Sequence, residues 1–193
     1  MQQAFQIEWS SPGGQLRALE PYPEEVAAHA GTLAVAYNDP RNASLLGHTS
    51  TLFEPDVVEH YEHLHGDGAR PFLLFRDGVL AGDADLRGIA DGAAEFAFLI
   101  AAPDAQGRGL GTRFAVMVHA FAFTQLGLDR IYASVVPVNV ASRRVFEKLG
   151  YVPDHSATAI YGDEGDLVLA VDRAGFERLH AATVAEIQIA RRL

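Results

Sequence analysis

The chain has 193 residues, enough for one domain with a full-sized core, and its 49% apolar and 21% charged residues are the balance of a globular protein. A formal charge of −10, from 25 acidic against 15 basic residues, sets the surface against nucleic-acid phosphates, because Arg143-Arg144 and Arg191-Arg192 are too small to form a basic patch. The absence of cysteine excludes disulfides, thiolate metal sites and cysteine nucleophiles.

Phe5, Ile7 and Trp9 alternate with polar neighbours, which predicts a half-buried strand. Ser10 to Gly14 is a turn, and Leu16 to Leu19 returns as a second strand. Pro23 to Tyr37 reads as a helix broken by Asn38-Asp39-Pro40, and Pro55 to His65 as a second helix with proline in its first turn. Phe72 to Arg76 and Val79 to Leu86 flank Asp77-Gly78, a two-residue hairpin signal. Ala93 to Ala101 is the next strand. Leu110 to Leu126 is a helix with Phe114, Val118 and Phe121 on one face, stopped by Gly127. Ile131 to Val136 is a strand ended by Pro137, and Val140 to Leu149 a helix stopped by Gly150. Ala157 to Tyr161 with Leu167 to Val171 predicts a closing hairpin, and Ala174 onward a terminal helix.

Apolar runs fall short of the ~20 residues of a membrane span. The first residues, MQQAFQIEWSS, have neither a basic stretch nor a long apolar run, so a secretory signal is not expected and the cytoplasm is the expected compartment. The strand–helix–strand unit from Ala93 to Val136 makes those two strands parallel, whereas the earlier short turns favour antiparallel pairing. The expected fold is therefore a mixed α/β (α+β) sheet in a single domain, residues 1–193, with helices on both faces.

The stretch QGRGLGT, Gln106 to Thr112, places three glycines between a strand and a helix. It lacks the lysine of a phosphate-binding P-loop, and its G-x-G-x-G spacing is not the G-x-G-x-x-G of a dinucleotide fold. What remains is a set of amides at a helix start, suited to a diphosphate. The plain alternative is a tight turn that needs glycine for its own dihedrals.

A second stretch, NVASRRVFEKLGY from Asn139 to Tyr151, lies one strand downstream. Together the two resemble the GNAT superfamily of acyl-CoA-dependent N-acyltransferases. Gln106, Gly109 and Gly111 match its pyrophosphate motif, [Q/R]-x-x-G-x-[G/A]. Asn139, Ser142, Gly150 and Tyr151 match its second motif. The resemblance is closest to the branch that acetylates ribosomal-protein amino termini and small amines. It covers about Pro71 to Tyr151 and implies a mostly antiparallel sheet whose central parallel pair splays at the cofactor site.

The resemblance implies acetyl-CoA as co-substrate, with no metal. Its diphosphate would rest on the amides of Gly107, Arg108, Gly109, Leu110, Gly111 and Thr112. Leu99, Ile100 and Ala101, at the end of a bulged strand, would pair with the pantetheine arm, and one of their amides would polarise the thioester carbonyl. The partners implied are an acyl-CoA and an amine acceptor, without nucleic acid or membrane, for a monomer or homodimer.

Direct attack on a thioester requires a neutral amine, so a base must take its proton. Glu95 is the preferred base, where many members carry a glutamate acting through water; a solvated strand-end carboxylate is the alternative. Glu164, Asp154 and His155 are competitors. Much of the family has its acid, a tyrosine, seven residues after the motif asparagine; this chain has Phe146 there. The expected thiolate donor is then Ser142, unless its hydroxyl only bonds the helix backbone. Asn139 either contacts pantetheine or caps its helix, and Tyr151 is expected in the core. His60 and His63 share a helix face suited to a metal, while Glu59 or Glu62 on that helix is placed to attract a cationic amine. Rival readings are an acyl-CoA sensor without turnover, favoured by Phe146, and an enzyme using a longer acyl chain or a hydroxyl acceptor.

Overall fold

Alternation from Phe5 and again from Leu16 builds a first hairpin, β1 (Phe5–Ser11) and β2 (Gly14–Leu19), in register from Gln6 opposite Leu19 to Ser11 opposite Gly14. The computed structural model describes residues 3–11, 13–46, 50–101, 109–162 and 165–192. After β2 come three helices, α1 (Pro23–Asn38), α2 (Pro40–Leu46) and α3 (Glu54–Gly66). The meander β3 (Arg70–Arg76), β4 (Val79–Ala90) and β5 (Ala93–Ile100) follows, then α4 (Leu110–Thr124), β6 (Arg130–Val135) and α5 (Val140–Leu149). The chain closes with β7 (Val152–Pro153), α6 (Thr158–Tyr161), β8 (Leu167–Asp172), α7 (Arg173–Val184) and β9 (Gln188–Arg191).

Among the described residues the strands form one sheet in the order β7-β8-β6-β5-β4-β3-β2-β1-β9. Every pairing is antiparallel except β5 with β6. Asp77-Gly78 turns the β3–β4 hairpin with both φ angles positive, 51° and 79°, as the two-residue signal requires. Asp91-Gly92 repeats that chemistry between β4 and β5, at 49° and 76°.

β3 reads RPFLLFR and is buried on both sides, the pattern of a strand covered by helices front and back. Leu73 and Phe75 face α1 and α3, against Val26, Leu33, Val57 and Tyr61. Phe72 and Leu74 face the opposite layer, where Phe114, Val118 and Phe121 of α4 lie on the expected apolar face.

The first helix ends at Asn38, where Asn38-Asp39-Pro40 was expected to break it, and Pro40 then begins α2. The Asp39 carboxylate accepts the amides of Arg41 and Asn42 at 3.0 and 3.3 Å, so Asp39-Pro40 is a capped helix start. Ala157 to Tyr161 is not a strand: Asp154 accepts the Ser156 amide at 3.1 Å and starts a 3₁₀ turn that runs into α6. Val152–Pro153 takes the place beside β8 instead. The terminal helix ends at Val184, and Gln188–Arg191 then pairs with β1, placing Ile189 opposite Ile7. The predicted bulge also moves. β5 runs in register with β4 from Glu95 to Ile100, and the irregularities sit in β4, at Ala81 and at Gly88-Ile89.

His119 lies fully buried in α4 and ties it to the segment after α5. Its Nδ1 is 2.7 Å from the Ala115 carbonyl and its Nε2 2.6 Å from the Tyr151 hydroxyl. A carbonyl only accepts, so the network assigns the proton to Nδ1, and Tyr151 donates to Nε2. Burial lowers the imidazole pKa from 6.5 to about 3. The unfolded chain therefore takes up a proton at pH values where the folded chain does not. Stability contributed by the neutral ring is complete above 6.5 and is lost as pH falls toward 3. In His119→Gln, chemical denaturation is expected to show its largest deficit against the parent at neutral pH, with the difference shrinking through that acid window.

Candidate active site

The β5–β6 ladder is short. Ala93, Ala94 and Glu95 face Arg130, Ile131 and Tyr132, and past them the strands part. β5 stays on β4 as far as Ile100 opposite Gly82, and β6 stays on β8 as far as Val135 opposite Leu167. Each arm is held on its outer edge, so the opening between them is built into the sheet. A cleft of ≈ 450 Å³ occupies this region, lined by Phe98 and Leu99 on one arm, Ser134 and Val135 on the other, and Asn139, Ser142 and Phe146 of α5.

Ladder geometry sorts the three residues expected to pair with pantetheine. Ala101 donates its N–H to the Ala81 carbonyl at 2.8 Å, and alternation turns the polar backbone of Leu99 the same way, onto β4. Ile100 turns its backbone toward β6, and Phe98 and Phe96 share that edge. Gly82 makes the Leu99 turn possible: at φ 154°, any Cβ on it would collide with the Leu99 carbonyl oxygen.

At the start of α4, Gly109 is the N-cap residue with φ 75°, a left-handed conformation that favours glycine. The amides of Leu110, Gly111 and Thr112 belong to the first turn, which has no intrahelical acceptors for them. Gly111 has a packing role: a Cβ there would stand 3.1 Å from the Phe98 ring, 3.5 Å from Ile100 and 3.7 Å from Val145. Its lack of a side chain lets α4 begin against β5 and α5. Gln106, Gly107 and Arg108 lie outside the described residues, as does Glu164.

Asn139 caps α5, its Oδ1 accepting the Ser142 amide at 3.0 Å. The capping role is thus present, on a residue that also lines the cleft. The Ser142 hydroxyl has no hydrogen-bond partner among the described residues, and Ser142 also lines the cleft. Phe146 is buried against Phe98 and Tyr151, with ring centroids 5.9 and 4.9 Å away. It packs and donates no proton. Tyr151 is in the core, as expected.

Glu95 lies half-buried on the last rung of the parallel ladder, opposite Arg87 on one side and Tyr132 on the other. Tyr132 stacks on Tyr161 with centroids 4.2 Å apart. Desolvation first, then Tyr132, Glu95 and Asp91, raise the Tyr161 pKa. The competitors are elsewhere: Asp154 pairs with Arg130 at 2.8 Å, and His155 is exposed in the 3₁₀ turn.

Glu59 and Glu62 point to solvent and do not line the cleft. His63 approaches Glu59 at 4.0 Å, and no metal-binding group is found among the described residues. The acidic face is supplied instead by Asp83, Asp85, Glu95 and Asp166. Asp83 and Asp85 were legible as two carboxylates alternating in an otherwise apolar strand, LAGDADL, which marks charges placed on purpose in a central strand.

Residues 19–152 match the family model described as an acetyltransferase (GNAT) domain. Spermidine N(1)-acetyltransferase of Escherichia coli (strain K12) is 35% identical over 92 residues, 47% of this chain and 49% of that protein, so the chain spans about half the length of this relative. Among solved structures, Mycobacterium smegmatis RimJ in complex with CoA-disulfide has a TM-score of 0.75 at 18% identity, covering 95% of this chain and 96% of that one. Vibrio cholerae spermidine N-acetyltransferase in complex with CoA and spermine has a TM-score of 0.68 at 22% identity, covering 83% and 97%. Both structures share the fold.

Gly111→Val is expected to lower stability by roughly 1–3 kcal/mol through overpacking against Phe98 and to weaken coenzyme A binding in parallel. Gly109→Ala meets only Arg113, at 3.9 Å, and is expected to cost about 1 kcal/mol of backbone strain with a smaller loss of affinity. Thermal unfolding and calorimetric titration with coenzyme A check both.

Proposed function

The chain belongs to the GNAT acetyltransferase family, and from that premise we propose that it transfers the acetyl group of acetyl-CoA to a primary amine by direct attack. One observation carries the reading: a parallel pair that parts beyond Glu95, with the first turn of α4 packed against one arm and α5 lining the opening. The edge of β5 at Phe98, turned toward the parted β6, suits an extended pantetheine arm, which adds to a sheet as a strand does. The first-turn amides from Leu110 to Thr112 suit the diphosphate. Gln106, Gly107 and Arg108 would extend that cradle.

In the proposed reaction the amine nitrogen forms a bond to the acetyl carbonyl carbon, and the C–S bond breaks with its electron pair on sulfur. Glu95 takes one ammonium proton through water before attack, Ser142 gives its hydroxyl proton to the departing thiolate, and the second proton lost by the nitrogen returns through water to the Ser142 oxygen. Glu95 is supported by its place at the mouth of the opening, and Ser142 by a hydroxyl that no described residue engages. The acceptor is a small amine or a peptide amino terminus, and the chain acts in the cytoplasm as a monomer or homodimer. Among the described residues no helix is long and apolar enough to cross a membrane.

The test is release of free thiol from acetyl-CoA across a panel of polyamines, amino acids, aminoglycosides and short peptides. Amine-dependent release with an acetylated product supports the reading; coenzyme A binding without turnover on any amine leaves a sensor module. Glu95→Gln is expected to lower kcat at neutral pH more than cofactor affinity, with a deficit that shrinks as pH rises and free amine becomes abundant. An equal loss at every pH indicates positioning. Ser142→Ala is expected to lower kcat by roughly 10²-fold or less, because a thiol is already acidic and its anion leaves readily.

A further inference from the structure

Among the described residues four carboxylates line the cleft, and they are not equivalent. Asp85 is spent on Arg87, whose Nε and Nη2 donate to its two oxygens at 2.6 and 2.7 Å. Asp166 accepts the Ser134 hydroxyl at 2.8 Å. Glu95 stands beside Arg87 across the β4–β5 ladder.

Asp83 differs. It is 6% exposed, on the central strand, and no cation pairs with it among the described residues. The Tyr37 and Tyr61 hydroxyls, reaching down from α1 and α3, both donate to the same oxygen, Oδ2. Its Oδ1 has no hydrogen-bond partner among the described residues, and Asp83 lines the cleft. The result is a carboxylate with one oxygen clamped and the other unengaged by those residues, and a buried charge of this kind is stabilised by an arriving cation.

We propose that Asp83 recognises the acceptor, its unclamped oxygen pairing with a second ammonium of a linear diamine or polyamine, separate from the amine that is acetylated. The inference rests on the acetyl-transfer reading only for which amine reacts. Asp83 lies opposite Leu99, four residues beyond Glu95, which separates the two carboxylates by about 13 Å along the strand. One ammonium cannot serve both, whereas a chain carrying two nitrogens can.

Desolvation, the largest effect, together with the nearby Asp85 pushes the Asp83 pKa up to about 6, against the lowering effect of the two phenols and Arg87. Recognition is therefore strong above that value and fades as pH falls through it. Among the described residues, the groups that act on Asp83 are Tyr37 from α1, Tyr61 from α3, and Asp85 and Arg87 on its own strand, while His60 from α3 and Glu95 from β5 line the same cleft.

The experiment compares putrescine with n-butylamine, matched in chain length but not in charge, by calorimetric binding and by thiol release. Asp83→Asn keeps an oxygen for both phenols. It is expected to weaken putrescine binding and raise its KM at least about tenfold, with butylamine constants and kcat nearly unchanged. In the parent, the preference for putrescine is expected to collapse between about pH 7.5 and about pH 5. The pH arm stands even if Asp83→Asn misfolds. Putrescine binding that depends on Asp83 without any thiol release would keep the subsite and remove the acetyl-transfer reading. An unchanged preference in Asp83→Asn, or an equal fall in kcat for both amines, overturns the proposal.

Discussion

The fold depends on a ladder that stops. β5 and β6 are parallel neighbours for only Ala93 to Glu95, after which one strand follows β4 and the other follows β8. Parting two strands in the middle of a sheet withdraws backbone donors and acceptors from the ladder, a cost that packing elsewhere must offset. Here the offset is aromatic: Phe96, Phe98, Phe146 and Tyr151 pack together on the α4 side of the opening. Gly111 lets the helix start close against that cluster. The same parting supplies an edge on which an extended ligand arm can complete the missing ladder.

The two faces of the sheet divide the labour. One carries the aromatic wedge and α4. The other carries Asp83, Asp85 and Arg87 on β4 and Glu95 on β5, beneath α1 and α3. With a formal charge of −10 overall, the chain places acidity where a cationic acceptor would enter and neutralises only part of it. Asp85 is locked by Arg87, while the phenols of Tyr37 and Tyr61 hold Asp83 without cancelling its charge. In the proposed reading, charge recognition and chemistry fall to different carboxylates.

Much of this was legible in the sequence, because the informative signals are local. Asp77-Gly78 demands positive φ and makes a hairpin; Gly150 stops α5 in a left-handed conformation; Asn139 caps it. The two motifs pointed to the opening between β5 and β6. What escaped depended on distant partners. β9 reads as more helix until β1 offers an edge, and the Arg192 guanidinium pairs with Glu25 at 2.6 Å just beyond it. Which backbone groups of Leu99, Ile100 and Ala101 face β6 depends on the register with β4, which no local pattern reports. The acidic residues singled out on α3 lie outside the cleft, because a helix surface is easy to see, whereas Asp83 lies among apolar neighbours and its surroundings show only when Tyr37 and Tyr61 arrive above it.

The two irregularities in β4 have a consequence for how this strand can change over evolutionary time. Between Ala81 and Gly88 the pairing is strictly alternating, so side chains at odd positions face the acidic cleft and those at even positions face the aromatic layer. A single-residue insertion or deletion within that span would exchange the two sets, driving carboxylates into hydrocarbon and leucine into the cleft. A two-residue change preserves the faces and shifts only where along the cleft each charge stands. Drift in acceptor preference within this architecture should therefore proceed through substitutions, or through length changes in even steps.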